Sequence, residues 1–286
     1  MMMHPLLSKL RTLRLSGMVL TLDERSRAAQ DQSLSPSEFL ALLLDDEIER
    51  REQNRLRRRL QEAGLEEGKT LARFDFSAAP AAPKALLSDL AAGQFIARAE
   101  NILFVGPTGT GKSHLAQALA YEAIKRGHSA LFRPVHVLLA ALRAARADGT
   151  YARLRSRLAH VDVLLLDDFG LFGLSAQGAE DLYDLIRERY EQRPLLLTSN
   201  RAPEEWADVF GNPLLAGATL DRLTHHAHIL TLTGHSYRQR TRTARDPAAE
   251  NRPLPPVTSR RSQRDEVLSA AATTIPDTNN LRGCPP

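Results

Sequence analysis

The chain has a single cysteine in 286 residues, Cys284, and a single tryptophan. A lone thiol closes no intramolecular disulfide, so a disulfide-stapled scaffold is excluded. No zinc-ligand spacing, helix-turn-helix signature or aromatic stacking platform stands out. No apolar run approaches the roughly 18 residues that a membrane span requires. Residues 1–14 mix apolar and basic side chains without a long apolar core or a small-residue cleavage site, so they are expected to open a helix and not a secretory leader. A cytoplasmic protein with no membrane partner is the expectation. The net charge of +4 is too small to imply a nucleic-acid partner by itself, and the arrangement of charge matters more. What is present is a globular composition, 43% hydrophobic and 25% charged, with room for one α/β domain and a smaller helical module. No internal repeat is evident.

Residues 5–29 carry Leu6, Leu10, Leu13, Gly17 and Leu20 at helical spacing. Ser35-Pro36-Ser37-Glu38 reads as a capping box with proline at the first helical position. The helix it opens has Phe39, Leu40, Leu43, Leu44 and Ile48 as its expected apolar side and runs through Arg50–Arg59 to Gly64. Residues 1–70 are therefore expected to form an all-helical module, and 77–83 a linker. From 84 onward, short apolar runs at 101–105, 129–133, 161–166, 194–198 and 228–232 alternate with helical stretches. That alternation predicts an α/β domain over 71–240, a parallel sheet covered by helices on both faces. Residues 241–286, rich in Pro, Arg, Ser, Thr and Ala without apolar periodicity, are expected to be a disordered tail.

The apolar run Asn101–Val105 leads directly into Gly106-Pro107-Thr108-Gly109-Thr110-Gly111-Lys112-Ser113, with His114 next in the expected nucleotide-binding set, and into an apolar helix beginning near Lys112. This is GxxxxGK[ST] in a strand–loop–helix setting. Its glycines let successive amides turn inward on phosphate oxygens, and the helix start adds positive potential. The pattern predicts an ATP and Mg²⁺ site. Lys112 reaches the β- and γ-phosphates and the Ser113 hydroxyl ligates the ion. A second apolar strand ends in Asp167 and Asp168. The first is expected to hold the hydration shell of Mg²⁺, and the second to orient or deprotonate a water. Asn200 closes a third buried run, placed to hold the γ-phosphate or that water.

The segments GPTGTGKSHLAQALA, LLLDDFG, TSNRAPEEW, DRLTHHAH and GHSYR together resemble the IstB-like transposition-helper ATPases, relatives of the DnaC helicase loaders and DnaA initiators. The resemblance runs from about residue 5 to about 240 and includes the helical module and the FDF at 74–76. It implies a P-loop AAA+ three-layer sandwich that binds duplex DNA with ATP, self-associates head to tail and assists a transposase in target selection. By position, Asn200 resembles a sensor-1 residue, Arg222 in Asp221-Arg222-Leu223 an arginine finger reaching a neighbour's nucleotide, and Arg238 a sensor-2 arginine. Initiator-type relatives carry extra DNA-facing helices between the P-loop helix and the acidic strand. Here that interval holds Arg133, Arg143, Arg146, Arg153, Arg155 and Arg157, with only Asp148 opposing locally. Arg143, Arg146, Arg153, Arg155 and Arg157 are the expected phosphate contacts. The run Arg50–Arg59 is a second basic segment, preceded by Asp45, Asp46, Glu47 and Glu49 that balance it. Two departures stand out. Asp168 replaces the glutamate of many AAA+ members, which leaves slow hydrolysis open, and no helical lid domain is recognisable after the last strand. A helicase loader, or a nucleotide-gated DNA scaffold with little hydrolysis, are the alternatives.

Overall fold

A computed structural model describes residues 5–237 apart from 81 and 235. The expected tail at 241–286 and Arg238 lie outside the described residues.

Five parallel strands, β1 (Asn101–Val105), β2 (Ala130–Pro134), β3 (Val163–Phe169), β4 (Leu195–Ser199) and β5 (Ala227–Thr231), form one sheet in the order β2-β3-β4-β1-β5. Strands flanked by helices on both faces bury both faces, which is why β1, β3 and β4 read as continuous apolar runs. Alternate residues point to opposite sides. Leu103, Leu164, Leu166 and Leu197 join one apolar cluster with Leu138, Leu182 and Trp206, while Ile102, Phe104, Leu165 and Leu196 join another with Leu87, Leu115 and Leu119. The first cluster draws on α7 (Val135–Ala147), α8 (Tyr151–His160), α9 (Ala176–Arg189), α10 (Trp206–Phe210) and α11 (Pro213–Thr224). The second draws on α4 (Lys84–Ala91), α5 (Gln94–Ala97) and α6 (Lys112–Lys125). The expected three-layer sandwich is the observed one, with β-strand bounds within three residues of those read from the sequence.

Before the sandwich lie α1 (Pro5–Thr12), α2 (Ser16–Asp31) and α3 (Pro36–Ala63). The single helix expected over 5–29 is broken, with Arg14 at φ 57° between α1 and α2. The break shifts the helical phase, so the buried positions are Leu10, Met18 and Leu22 against Leu43, while Leu13 and Leu20 are exposed. The capping box is present: the Ser35 hydroxyl accepts from the Glu38 N–H at 3.3 Å and the Ser35 N–H donates to Glu38 at 2.8 Å. The expected apolar side of α3 is only partly used. Leu43 is buried and Phe39 packs beside it, whereas Leu40, Leu44 and Ile48 are exposed. The reason is that α2 approaches α3 at Gly17, close to Glu47, whose buried carboxylate accepts from the Gly17 N–H at 2.6 Å and from Arg51 at 2.6 Å. Beside it, Arg25 binds Asp46 through two bonds of 2.8 and 2.7 Å, and that hydrogen bonding holds the Asp46 carboxyl down at about 2. A Cβ on Gly17 would fall 2.6 Å from the Glu47 Cα and 2.7 Å from the Asp46 carbonyl. Gly17→Val is therefore expected to destabilise the helical pair by about 1–3 kcal/mol. Chemical denaturation checks this, and a stability equal to wild type would contradict the close crossing.

The far end of α3 packs on the sandwich: Arg59 donates to the carbonyls of Gly127 and His128, the latter at 3.0 Å. The segment after it, expected in part as a linker, is also packed. Asp75 accepts from the Ser77 and Ala78 N–H groups at 3.0 and 3.2 Å, and Ala79 and Ala82 are buried in the second apolar cluster. The alanines of this Pro/Ala-rich stretch are small enough to lie against the sheet layer, so the expected linker is a packed connection.

Candidate nucleotide site

The carboxyl ends of β1, β3 and β4 meet at one edge of the sheet, where open α/β folds gather ligands. The loop leaving β1 turns through Gly106 at φ 137° and Gly111 at φ 95° into α6, a 14-residue helix. Both glycines are needed for close approach as well as for φ. A Cβ on Gly106 would lie 2.0 Å from the Leu232 carbonyl oxygen, and one on Gly111 2.7 Å from the Phe74 ring. Chain from both ends of the sandwich thus closes on the loop. Beyond β5, the Leu232 N–H donates to the Val105 carbonyl at 2.8 Å and the Tyr237 N–H to that of Gly109 at 3.0 Å. Within the loop, the Thr110 hydroxyl donates to the Pro107 carbonyl at 2.9 Å, and the Lys112 ammonium donates to the carbonyls of Gly106 and Pro107, each at 2.8 Å.

The Ser113 hydroxyl donates to Asp167 Oδ1 at 2.7 Å. The same oxygen accepts from the hydroxyl of buried Thr198 on β4. The Thr198 oxygen in turn accepts the Asp168 N–H at 3.1 Å. A β-bulge lies here: Leu166 pairs with Leu197 and Phe169 with Ser199, so β3 carries one extra residue. Asp168 takes φ 57° in that bulge. The extra residue lets two consecutive acids escape strict alternation, with Asp167 buried toward Ser113 and Asp168 exposed at the mouth.

A cleft of about 460 Å³ is lined by Thr108 to His114, Asp167, Asp168 and Asn200, a volume suited to one nucleotide. The structure therefore brings together the glycine loop, both acids and Asn200. Its wall also includes Lys69, Arg73, Phe74, Asp75 and Tyr237, which sequence reasoning did not single out as site residues. The only sequence signal for them was the FDF at 74–76. His114 turns toward this wall, its Nε2 3.0 Å from the Thr70 carbonyl and its ring edge-on to Phe74, and burial pushes its pKa down. Thr198 was also missed, because a threonine inside an apolar strand gives no signal until its partner strand is known. The donor set fits the expected ligand. A hydroxyl and a carboxylate oxygen 2.7 Å apart are hard oxygen donors of the kind Mg²⁺ takes, and a glycine loop at a helix start with one lysine suits a polyphosphate.

A family model described as IstB-like ATP binding protein matches residues 8–245. The chain belongs to this family. A relative from Mycobacterium tuberculosis, named as an ATP-binding protein in an insertion sequence, is 42% identical over 237 residues, 82% of this chain and 94% of the relative. Another, named for ATP binding in insertion sequence IS21 of Pseudomonas aeruginosa, is 38% identical and covers 82% of this chain and 87% of its own length. Among solved structures, DnaI matches at TM-score 0.51 and 24% identity over 57% of this chain and 90% of that one. AMPPCP-bound DnaA from Aquifex aeolicus matches at 0.51 and 19% over 73% and 66%. These two show the fold, the AAA+ P-loop sandwich. The family is the one its sequence resemblance implied.

In this IstB-like chain Arg222 does not line the chain's own cleft. It lies on α11, half-buried, donating to the Ala218 carbonyl at 2.7 Å, with its guanidinium 5.4 Å from the Tyr183 ring and 6.0 Å from that of Tyr190. Buried Asn101 fixes the end of α11, donating to the carbonyls of Arg222 and Leu223 at 3.4 and 3.1 Å while accepting the Leu195 N–H at 2.9 Å.

The basic interval is less free than its local sequence implied, because its opposing acids come from α9. Arg146 pairs with buried Asp181 and lies 3.9 Å over the Tyr151 ring, and Arg155 pairs with Glu188 and, at 3.6 Å, Asp184. Arg143, Arg153 and Arg157 are exposed and make no ion pair among the described residues.

The Thr198 relay has a direct consequence. Thr198→Val removes the hydroxyl that ties Asp167 and the Asp168 backbone to β4 while keeping the shape. Affinity for ATP with Mg²⁺ is expected to fall by about tenfold, the scale of one lost hydrogen bond to a charged group. Calorimetry checks this, and an unchanged affinity would show that Asp167 is held without Thr198.

Proposed function

We propose that this protein hydrolyses ATP with Mg²⁺, assembles head to tail on duplex DNA in an ATP-dependent manner and assists a transposase in choosing its target. The observation that carries the reading is the convergence of Lys112, Ser113, Asp167, Asp168 and Asn200 on one cleft from which the chain's own Arg222 is absent. The loop amides from Thr108 to Ser113 and the Lys112 ammonium hold the β- and γ-phosphates. Ser113 and Asp167 hold the ion, which when bound supplies charge neutralisation at the phosphate oxygens. Thr198 keeps Asp167 oriented. Asp168 accepts the proton of the attacking water or aligns it, and Asn200 positions the same water. Arg222 of a neighbouring copy completes the site by stabilising charge on the transferred group. A contact of this kind is heterologous and builds rings or open helical arrays. Arg143, Arg153 and Arg157 then contact DNA phosphates, giving affinity without sequence readout. The organisation is a helical module over 1–70, an ATPase domain over 71–240 and a tail over 241–286. The insertion-sequence relatives favour a transposase over a helicase as partner.

Phosphate release and sedimentation, with and without duplex DNA, test this. Arg222→Ala is expected to leave ATP affinity within about threefold and to lower turnover by about 10³-fold or more, the scale of a trans arginine. It is also expected to abolish ATP-dependent assembly. A collapse of ATP affinity in the isolated subunit would overturn the trans role. Absence of any hydrolysis in the wild type would leave only a nucleotide-gated scaffold, and co-purification with a hexameric helicase in place of a transposase would favour a loader.

A further inference from the structure

The pair His225-His226 belongs to the resemblance but takes no part in the site above. His225 caps the end of α11 and His226 follows it at φ 52°, in the left-handed region. Facing them is Glu191, in the turn between α9 and β4, also left-handed at φ 55°. Neither is glycine, and two such residues meeting at one spot cost of order 1 kcal/mol or more each. The cost is matched by what the turns bring together. The histidine rings lie 3.9 Å apart, Glu191 Oε1 is 3.6 Å from His225 Nδ1, and the Tyr190 hydroxyl holds the His225 ring at 2.8 Å. One ligand atom from each of Glu191, His225 and His226 lies within 4.8 Å of the others.

We propose that Glu191, His225 and His226 form a surface site for a divalent transition metal of the zinc class. Two imidazoles and a carboxylate are the donor set that zinc accepts at bond lengths of about 2.0–2.2 Å. Tetrahedral bonds of that length put donor atoms about 3.4 Å apart. The Glu191–His225 pair is already near that spacing, and rotation of exposed side chains closes the third. The His225 Nδ1 that faces Glu191 now meets the Tyr190 hydroxyl at 2.8 Å, a contact that the ion replaces. The ligands come from two separate connections, α9 to β4 and α11 to β5, so a bound ion staples them together. The staple lies three residues beyond Arg222, whose guanidinium rests against the same Tyr190.

Full-length protein without nucleotide is titrated with Zn²⁺ against a chromophoric chelator, and Co²⁺ is added separately to read the visible absorption of a nitrogen- and oxygen-ligated ion. Wild type is expected to bind one Zn²⁺ with micromolar affinity and to gain melting temperature on doing so. His226→Ala and Glu191→Gln are each expected to weaken binding by about tenfold or more, and both avoid the helix-capping position of His225. His225→Ala/His226→Ala is expected to lose the Co²⁺ spectrum and the thermal shift. Asp167→Asn is expected to keep both, which separates this site from the nucleotide cleft. Zinc affinity unchanged in the double variant, or no stoichiometric uptake by wild type up to about 100 μM, overturns the proposal.

Discussion

Lys112→Ala is expected to weaken Mg²⁺-dependent ATP binding by about 100-fold and, on the proposed function, to abolish nucleotide-dependent DNA binding. The side chain is 8% exposed and its ammonium is gathered by the Gly106 and Pro107 carbonyls at the mouth of the loop, so its charge is already concentrated where a polyphosphate would lie. Hydrogen bonds to charged groups contribute about 1.5–3 kcal/mol each in such surroundings, and ~2.7 kcal/mol corresponds to a factor of about 100 in affinity. Alanine keeps the first turn of α6 helical, so the fold is expected to survive, and circular dichroism verifies that before binding is measured. Calorimetry then decides: affinity within threefold of wild type would mean that the cleft does not grip the triphosphate as described, and the proposed assembly on DNA would lose its trigger.

Arg189→Leu is expected to be the most destabilising of the substitutions considered, by about 3–5 kcal/mol, the scale of leaving two or three buried carbonyls without a donor. Arg189 is 1% exposed with no carboxylate partner in hydrogen-bond range among the described residues. It donates instead to the carbonyls of Leu158, Val161 and Pro194 at 2.8, 2.8 and 2.7 Å, and more weakly to those of Ala159 and Asp162. Burial pushes its pKa down to about 9, so it stays charged at neutral pH. One cation thus satisfies the last carbonyls of α8, which a helix end leaves orphaned, and pins the entries to β3 and β4. Leucine replaces the volume but leaves those carbonyls buried and unpaired. A fall in melting temperature of about 10 °C follows for a domain of this size. A shift under 2 °C in scanning calorimetry would show that water or a local rearrangement satisfies the carbonyls equally well.

The two substitutions act at opposite ends of the strands, Lys112 where β1 ends and Arg189 where β3 and β4 begin, and they differ in how visible they were beforehand. Lys112 stands in a contiguous eight-residue motif, and everything that gives it meaning lies within a few residues of it. Arg189 looks like any basic residue in the last turn of a helix, and its role exists only because α8, β3 and β4 begin or end around it. The same contrast separates Asp167 from Thr198, and the arginines of α7 and α8 from the α9 acids that claim two of them.

Local order in the chain was sufficient for the strands, the glycine loop and the capping box of α3, because backbone preference, apolar alternation and phosphate-cradling geometry act over neighbouring residues. The burial of Ala79 and Ala82, the pairing of Arg146 and Arg155, and the convergence of Phe74 and Tyr237 on the loop arose only on folding. Each depends on groups tens of residues away meeting in three dimensions, and side-chain charge or periodicity carries no record of which distant partner will be there.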